Sequence, residues 1–263
     1  MNIREYLDNP MGKGDSSIPN RQSLILSLST KYDALIDNKE KEIQMKIYRN
    51  GIKGDYYFHL IIPSETKRKN TYDVVFEFRD PNKEHVKDLS LGNYEIRVFS
   101  NTPSFAYTFA NVYDKEGLII DFLKPKLGKK IFQLRPEVRN RYGIVNYDKY
   151  LYFGARYIIE SKMLNKAFLD MRSHNDNNLR FRSNIRTLNE IMEEYKLAEQ
   201  ELRKTKKSSA KDSSSKIKST TRTESNNSTL NRIKPIKGTD SDNRLKKKKP
   251  VKSIKPKRAL RKK

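Results

Sequence analysis

The sequence predicts an α+β domain followed by a long, strongly basic terminal segment. Three observations lead there. Short runs of alternating apolar and polar residues fill positions 43–123, longer stretches with helical apolar spacing flank them, and charge and aromatic content change abruptly near residue 203.

The helix before the strands is read first. Asn9-Pro10 and Gly12-Lys13-Gly14 break any regular pattern, so residues 1–15 are expected to form an irregular arm. Asp15, Ser16 and Ser17 offer caps ahead of Pro19, which suits a first helical turn. Leu24, Leu28, Tyr32 and Leu35 then recur at helical spacing, predicting a helix over about residues 19–37.

The period changes to two after that. Ile43, Met45 and Ile47 alternate with polar neighbours, and turns at Asn50-Gly51 and Gly54-Asp55 lead into the apolar run Tyr56–Ile62. Tyr72, Val74, Phe76 and Phe78 make the next alternation, and Tyr94, Ile96 and Val98 another. Phe105, Tyr107 and Phe109 follow, then the run Leu118–Leu123. About six alternating runs are expected to give a mainly antiparallel sheet of five to six strands, a meander with one face buried. Pro125, Gly128, Pro136 and Gly143 mark a long connection over residues 124–146, with Ile131-Phe132 held at the core.

Two helices close the domain in this reading. Tyr147–Met171 carries wide apolar coverage, with Gly154 a weak point, and residues 173–178 are a polar break. A final helix over about 184–204 includes Thr187 and Glu190, spaced as a capping box. Its apolar pattern lasts under three heptads, which favours packing on its own domain over a coiled coil. No internal repeat is present.

Charge then separates the chain into unequal parts. The whole sequence has 56 Lys and Arg against 32 Asp and Glu, a net of +24. From Arg203 to Lys263 there are 23 basic residues against four acids, a net of +19, which leaves +5 for everything before. All 15 Tyr and 11 Phe lie at or before Tyr195. A segment so poor in apolar groups cannot offset an ordering cost of roughly 1–2 kcal/mol per residue. The expected organisation is therefore an arm over 1–15, a globular domain over 16–204 and a disordered Lys-rich tail over 205–263.

The tail holds the candidate binding residues: Arg244, Lys246, Lys247, Lys248, Lys249, Lys252, Lys255, Lys257, Arg258, Arg261, Lys262 and Lys263. Uncompensated cations repel one another. Opposite a phosphate backbone they displace condensed counterions, giving nonspecific, salt-dependent affinity for nucleic acid, most simply DNA. The absence of aromatics removes base-stacking platforms from this segment. Pro235, Pro250 and Pro256 prevent a continuous basic helix. A solubilising tail, a nuclear-import signal, an acidic protein or an anionic membrane surface would share this composition.

No catalytic, cofactor or metal signature stands out. There is no cysteine, which excludes disulfides and thiolate metal sites. His59, His85 and His174 fall at no ligand spacing and read as incidental. Gly12-Lys13-Gly14 lacks the spacing of a phosphate loop, and no G-x-S-x-G elbow occurs. One enzyme class comes close, the metal-dependent nucleases that pair an acid with an E-x-K on the next strand. Asp80 and Glu95-Ile96-Arg97 approximate it, but arginine replaces the lysine and hardly ever releases a proton. Tyr56, Tyr57, Tyr107, Tyr113, Tyr150, Tyr152 and Tyr157 could present a binding surface, although rings that complete the core explain them more simply.

The runs Asn9–Gly14, Asn101–Ala110, Arg135–Arg139 and Tyr150–Ala155 resemble virion-associated proteins of tailed phages that infect Gram-positive bacteria. The resemblance covers about residues 1–170. It implies a structural protein of the particle and supplies no functional residues. With no apolar leader and no membrane-length apolar run, the expected location is the virion or the host cytoplasm. A free DNA- or RNA-binding factor outside any particle is the alternative.

Overall fold

The computed structural model describes residues 1–8, 21–65, 70–133, 140, 142–145 and 148–200. They form an α+β fold built on a five-stranded, mostly antiparallel sheet. Strands β1 (Gln44–Asn50), β2 (Asp55–Pro63), β3 (Thr71–Arg79) and β4 (Glu95–Ser100) make an antiparallel meander, and β5 (His174–Asn175) adds to β1 in parallel. The spatial order is β4-β3-β2-β1-β5. The first four strands lie where period-two alternation predicts them. The fifth comes from the stretch expected to be a polar break, where His174 and Asn175 pair with Tyr48 and Arg49.

Two further expected strands are not strands. Phe105, Tyr107 and Phe109 belong to a helical stretch over 103–115, which contains a π turn at Phe105–Phe109 and ends in helix α3 (Ala110–Lys115). Thr102 and Pro103 start it: the Thr102 hydroxyl accepts from Phe105 N at 3.1 Å, and proline suits a first turn. With helical spacing Phe105, Ala106, Ala110 and Tyr113 all face inward and are buried. The run Leu118–Leu123 pairs with β4 through an isolated bridge, Ile119 to Val98, before a 3-10 turn at Asp121–Leu123.

The helices also depart from expectation in detail. The arm is not irregular throughout: α1 (Ile3–Asp8) buries Ile3 and Tyr6 completely, and the Met1 carbonyl accepts from Ile96 N at 3.0 Å, covering the edge of β4. Helix α2 (Arg21–Ile36) buries Leu28, Tyr32 and Leu35, whereas Leu24 is exposed. The connection contains α4 (Lys124–Leu127) and a 3-10 turn whose Ile131 is buried. The single helix expected over 147–171 is two, α5 (Lys149–Glu160) and α6 (Lys166–Arg172). Left-handed Lys162 (φ 57°) breaks them, and the Asn165 side chain caps the second. Residues 188–200 form α7, which starts later than expected because residues Arg180–Asn184 make a 3-10 turn. The predicted capping box is present: Glu190 N donates to Thr187 Oγ1 at 3.2 Å, and Thr187 N to Glu190 Oε2 at 2.6 Å.

Contrary to the one-face expectation, both faces of β2 and β3 are buried. On one face Phe58, Leu60, Val74, Phe76, Phe78, Ile96 and Val98 meet α5 and α1. Tyr6 lies edge-on to Phe76, and its hydroxyl bonds that of Tyr113 at 2.7 Å. On the other face Tyr57 packs against Phe122 and Phe181, and Phe181 stacks on Tyr48 at 4.6 Å. Helix α2 covers α5 from outside. There Tyr32 packs on Phe153 and donates to Glu160 at 2.7 Å, while Arg156 lies over the Tyr32 ring and pairs with Asp33.

Two residues at α5 govern this packing. A β-carbon on Gly154 would come within 2.8 Å of the Phe76 ring and 3.2 Å of Val74. The glycine is thus a point of close approach between helix and sheet, not a weak point. Asp148 caps the helix, accepting from Leu151 N at 3.0 Å, but its other oxygen is buried without a hydrogen bond. Burial pushes its carboxyl up to about 6.

Gly154→Ala is expected to destabilise the protein by about 1–3 kcal/mol, because overpacking against the fully buried Phe76 outweighs the roughly 1 kcal/mol of helix propensity gained. A denaturant titration checks this. The Asp148 carboxyl holds its proton more tightly folded than unfolded, so it contributes a loss of stability as pH rises from about 4 to about 6. Asp148→Asn keeps the capping acceptor and should raise stability at neutral pH by about 1–3 kcal/mol, with the gain vanishing below about pH 4, in thermal melts across pH.

Candidate functional site

The twelve cationic positions singled out in the sequence, Arg244 to Lys263, lie outside the described residues. Among the described residues three arrangements concentrate polar chemistry, and all three are organised by β3.

The first is a buried polar network. Alternation puts His59 of β2 and Asp73 of β3 on the face opposite α5, and the segment after β4 brings Asn101 beside them. One Asp73 oxygen bonds His59 Nε2 at 2.8 Å; the other accepts from Asn101 Nδ2 at 2.8 Å and Arg186 Nε at 2.9 Å. Arg186 also donates to the Thr71 carbonyl and hydroxyl and pairs with Glu194 of α7. Burial works to raise the Asp73 pKa, but the His59 hydrogen bond, Arg186 and Asn101 together hold it below the usual carboxylate range. His59, read as incidental, is therefore a structural partner of a buried carboxylate. The network ties α7 to the sheet.

The second is a cleft of about 550 Å³ at the other end of the same face. In register, Arg79 lies opposite Glu95, and Glu77 lies between Tyr57 and Arg97, so charges alternate across the strands. Glu77 is buried and accepts from the Tyr57 hydroxyl at 3.0 Å, while Arg97 turns to Asp121 at 2.7 Å. Burial raises the carboxyls of Glu77 and Asp55, and for Glu77 the charge of Asp55 adds to the rise. The nuclease constellation is not assembled here. Asp80 and Arg97 line the cleft, but Glu95 does not, and the Asp80 oxygens accept from the backbone of Glu84 and His85. Among the described residues no group of three or more His, Cys, Asp or Glu side chains is placed to hold a metal ion.

The third is an aromatic cleft of about 650 Å³ where α7 crosses the start of α5. Tyr72 of β3 lies 4.6 Å from Tyr150, and Tyr195 stacks on Tyr72 with their hydroxyls hydrogen-bonded to each other. Lys149 sits over the Tyr150 ring at 4.6 Å and pairs with Glu65 at 2.8 Å. Pro103 and Ser104, Met192 and Lys196 complete the walls.

Of the seven tyrosines considered as a binding surface, Tyr56, Tyr57, Tyr113, Tyr150 and Tyr152 are buried and only Tyr107 is exposed. The rings complete the core, which is the simpler reading. Sequence reasoning missed Tyr72 and Tyr195 as cleft residues, because both sat on patterns already explained by core packing. No protein-family model matches the chain, and neither does any curated protein or solved structure. Among the described residues no helix is long and apolar enough to cross a membrane.

Removing the Asp73 charge should expose how far the network supports the fold. Asp73→Asn leaves Arg186 without its buried carboxylate and is expected to cost about 2–4 kcal/mol at pH 7. Because the folded pKa is lowered, this contribution is present above the ordinary carboxylate value and is lost as pH falls through the folded one. Melts of wild type and variant should therefore converge in acid.

Proposed function

We propose that this chain is a non-enzymatic structural protein of a phage particle, whose folded body docks on a protein assembly while its basic terminal segment holds nucleic acid without sequence preference. One observation carries the reading: a net charge of +19 is concentrated in the 61 residues from Arg203 to Lys263, against +5 in all the rest. Cations at that density, with no aromatic group among them, suit phosphate contact and not base recognition. The resemblance to virion-associated proteins of tailed phages supports the placement in a particle. The body offers surface for a protein partner. Leu89 and Met171 are about four-fifths and three-quarters exposed, and the bridge between Ser90 and Asn165 sets the loop carrying Leu89 beside α6, which carries Met171 and the half-exposed Phe168.

Salt dependence tests the nucleic-acid part. Replacing Lys246, Lys247, Lys248 and Lys249 by Gln should weaken duplex DNA binding at low salt and make the slope of log K against log salt shallower by about 3–4, at roughly 0.9 for each phosphate no longer neutralised. Mobility-shift titrations at several ionic strengths measure both; an unchanged slope would refute phosphate contact by this block. Mass spectrometry of purified particles tests the rest: the protein should be found in them at a fixed copy number, and its absence removes the virion assignment.

A further inference from the structure

The basic segment lacks every aromatic residue, so any stacking on bases has to come from the body. The cleft between α7, β3 and the start of α5 has the composition for it. Its floor is the Tyr72, Tyr150 and Tyr195 cluster, of which Tyr195 is the least buried. Pro103 and Met192 add apolar wall, and its volume of about 650 Å³ suits a nucleotide-sized group. Lys149 is committed to Glu65 and to the Tyr150 ring. Exposed Lys196, one residue beyond Tyr195, is the cation placed to meet a phosphate, and Glu199 limits the mouth to few such contacts. In sequence, Glu199 of this cleft is only four residues before Arg203, where the basic segment begins.

We infer that this cleft takes an unpaired base of single-stranded nucleic acid, stacked against Tyr195 and Met192 with its phosphate at Lys196. Stacking needs no sequence, because every base has a π-face, so the site selects single strands over duplexes and not one base over another. The inference rests on the nucleic-acid part of the proposed function and deepens it. The segment supplies charge, and the cleft supplies strand selectivity.

The two are separated by salt. With the full-length chain at about 0.4 M salt, where contacts to phosphate are weakened, a fluorescent oligothymidylate should remain bound while a duplex of equal length is released. Tyr195→Ala should weaken the single-strand affinity by about 5- to 100-fold and leave low-salt duplex binding unchanged. Tyr195→Phe, which keeps the ring, should bind as wild type. Lys196→Glu, at an exposed position, should weaken single-strand binding several-fold without lowering the melting temperature, and so reports on the cleft even if Tyr195→Ala perturbs folding. Release of single strand and duplex together at high salt, or equal single-strand affinity for wild type and the Lys196→Glu variant, overturns the inference. Loss of low-salt duplex binding with single-strand binding intact would instead count against the basic segment and leave the cleft standing.

Discussion

Strand β3 is enclosed on both faces, and a strand so enclosed has to satisfy every polar group it carries inside the protein. Its apolar row, Tyr72, Val74, Phe76 and Phe78, is straightforward: it meets helix α5, close enough that a β-carbon at position 154 would press on the Phe76 ring. The alternate row is harder, because it contains Asp73 and Glu77. Asp73 is surrounded by His59, Asn101 and Arg186, whereas Glu77 receives the Tyr57 hydroxyl and keeps a raised pKa. Phe122 and Phe181 pack on Tyr57 over this face, and Arg186 carries a countercharge to Asp73 from the segment before α7.

That arrangement fixes where α7 lies and thereby creates the aromatic cleft. Arg186 bonds Asp73 and Thr71 on β3 and Glu194 within α7, so the helix is held by a charge cluster at its start. Two turns along, Tyr195 then falls on Tyr72, the neighbour of Asp73 that projects to the opposite side of the strand. The charged interior and the tyrosine cluster are thus two consequences of one docked helix. The same helix leads, a few residues on, into the part of the chain where positive charge accumulates.

Much of the fold is legible in the sequence. Strands β1 to β4 follow from period-two alternation, the capping box at Thr187 and Glu190 from spacing, and the core role of the tyrosines from their positions within apolar runs. The failures have specific causes. The stretch after Asn101 alternates as a strand would, yet the Thr102-Pro103 start commits it to helix, and the same residues then bury a different set of side chains. Gly154 reads as a flaw in a helix because its value lies in the Phe76 ring it approaches, which is about 80 positions away in sequence. His59 reads as incidental because its partner Asp73 is on another strand.

By itself the sequence determined the α+β class, the meander, the helical ends and the division of charge at residue 203. Each of these depends on neighbours along the chain: side-chain period, capping and composition act over a few residues. Only the tertiary structure decided that the sheet is covered on both sides, that Asp73 is neutralised by Arg186, and that Tyr72, Tyr150 and Tyr195 meet at one cleft. Those features join residues about 45 to 125 positions apart, and no local pattern encodes which pairs will meet. Burial selects them, because an enclosed carboxylate or hydroxyl is stable only where the fold delivers its partner.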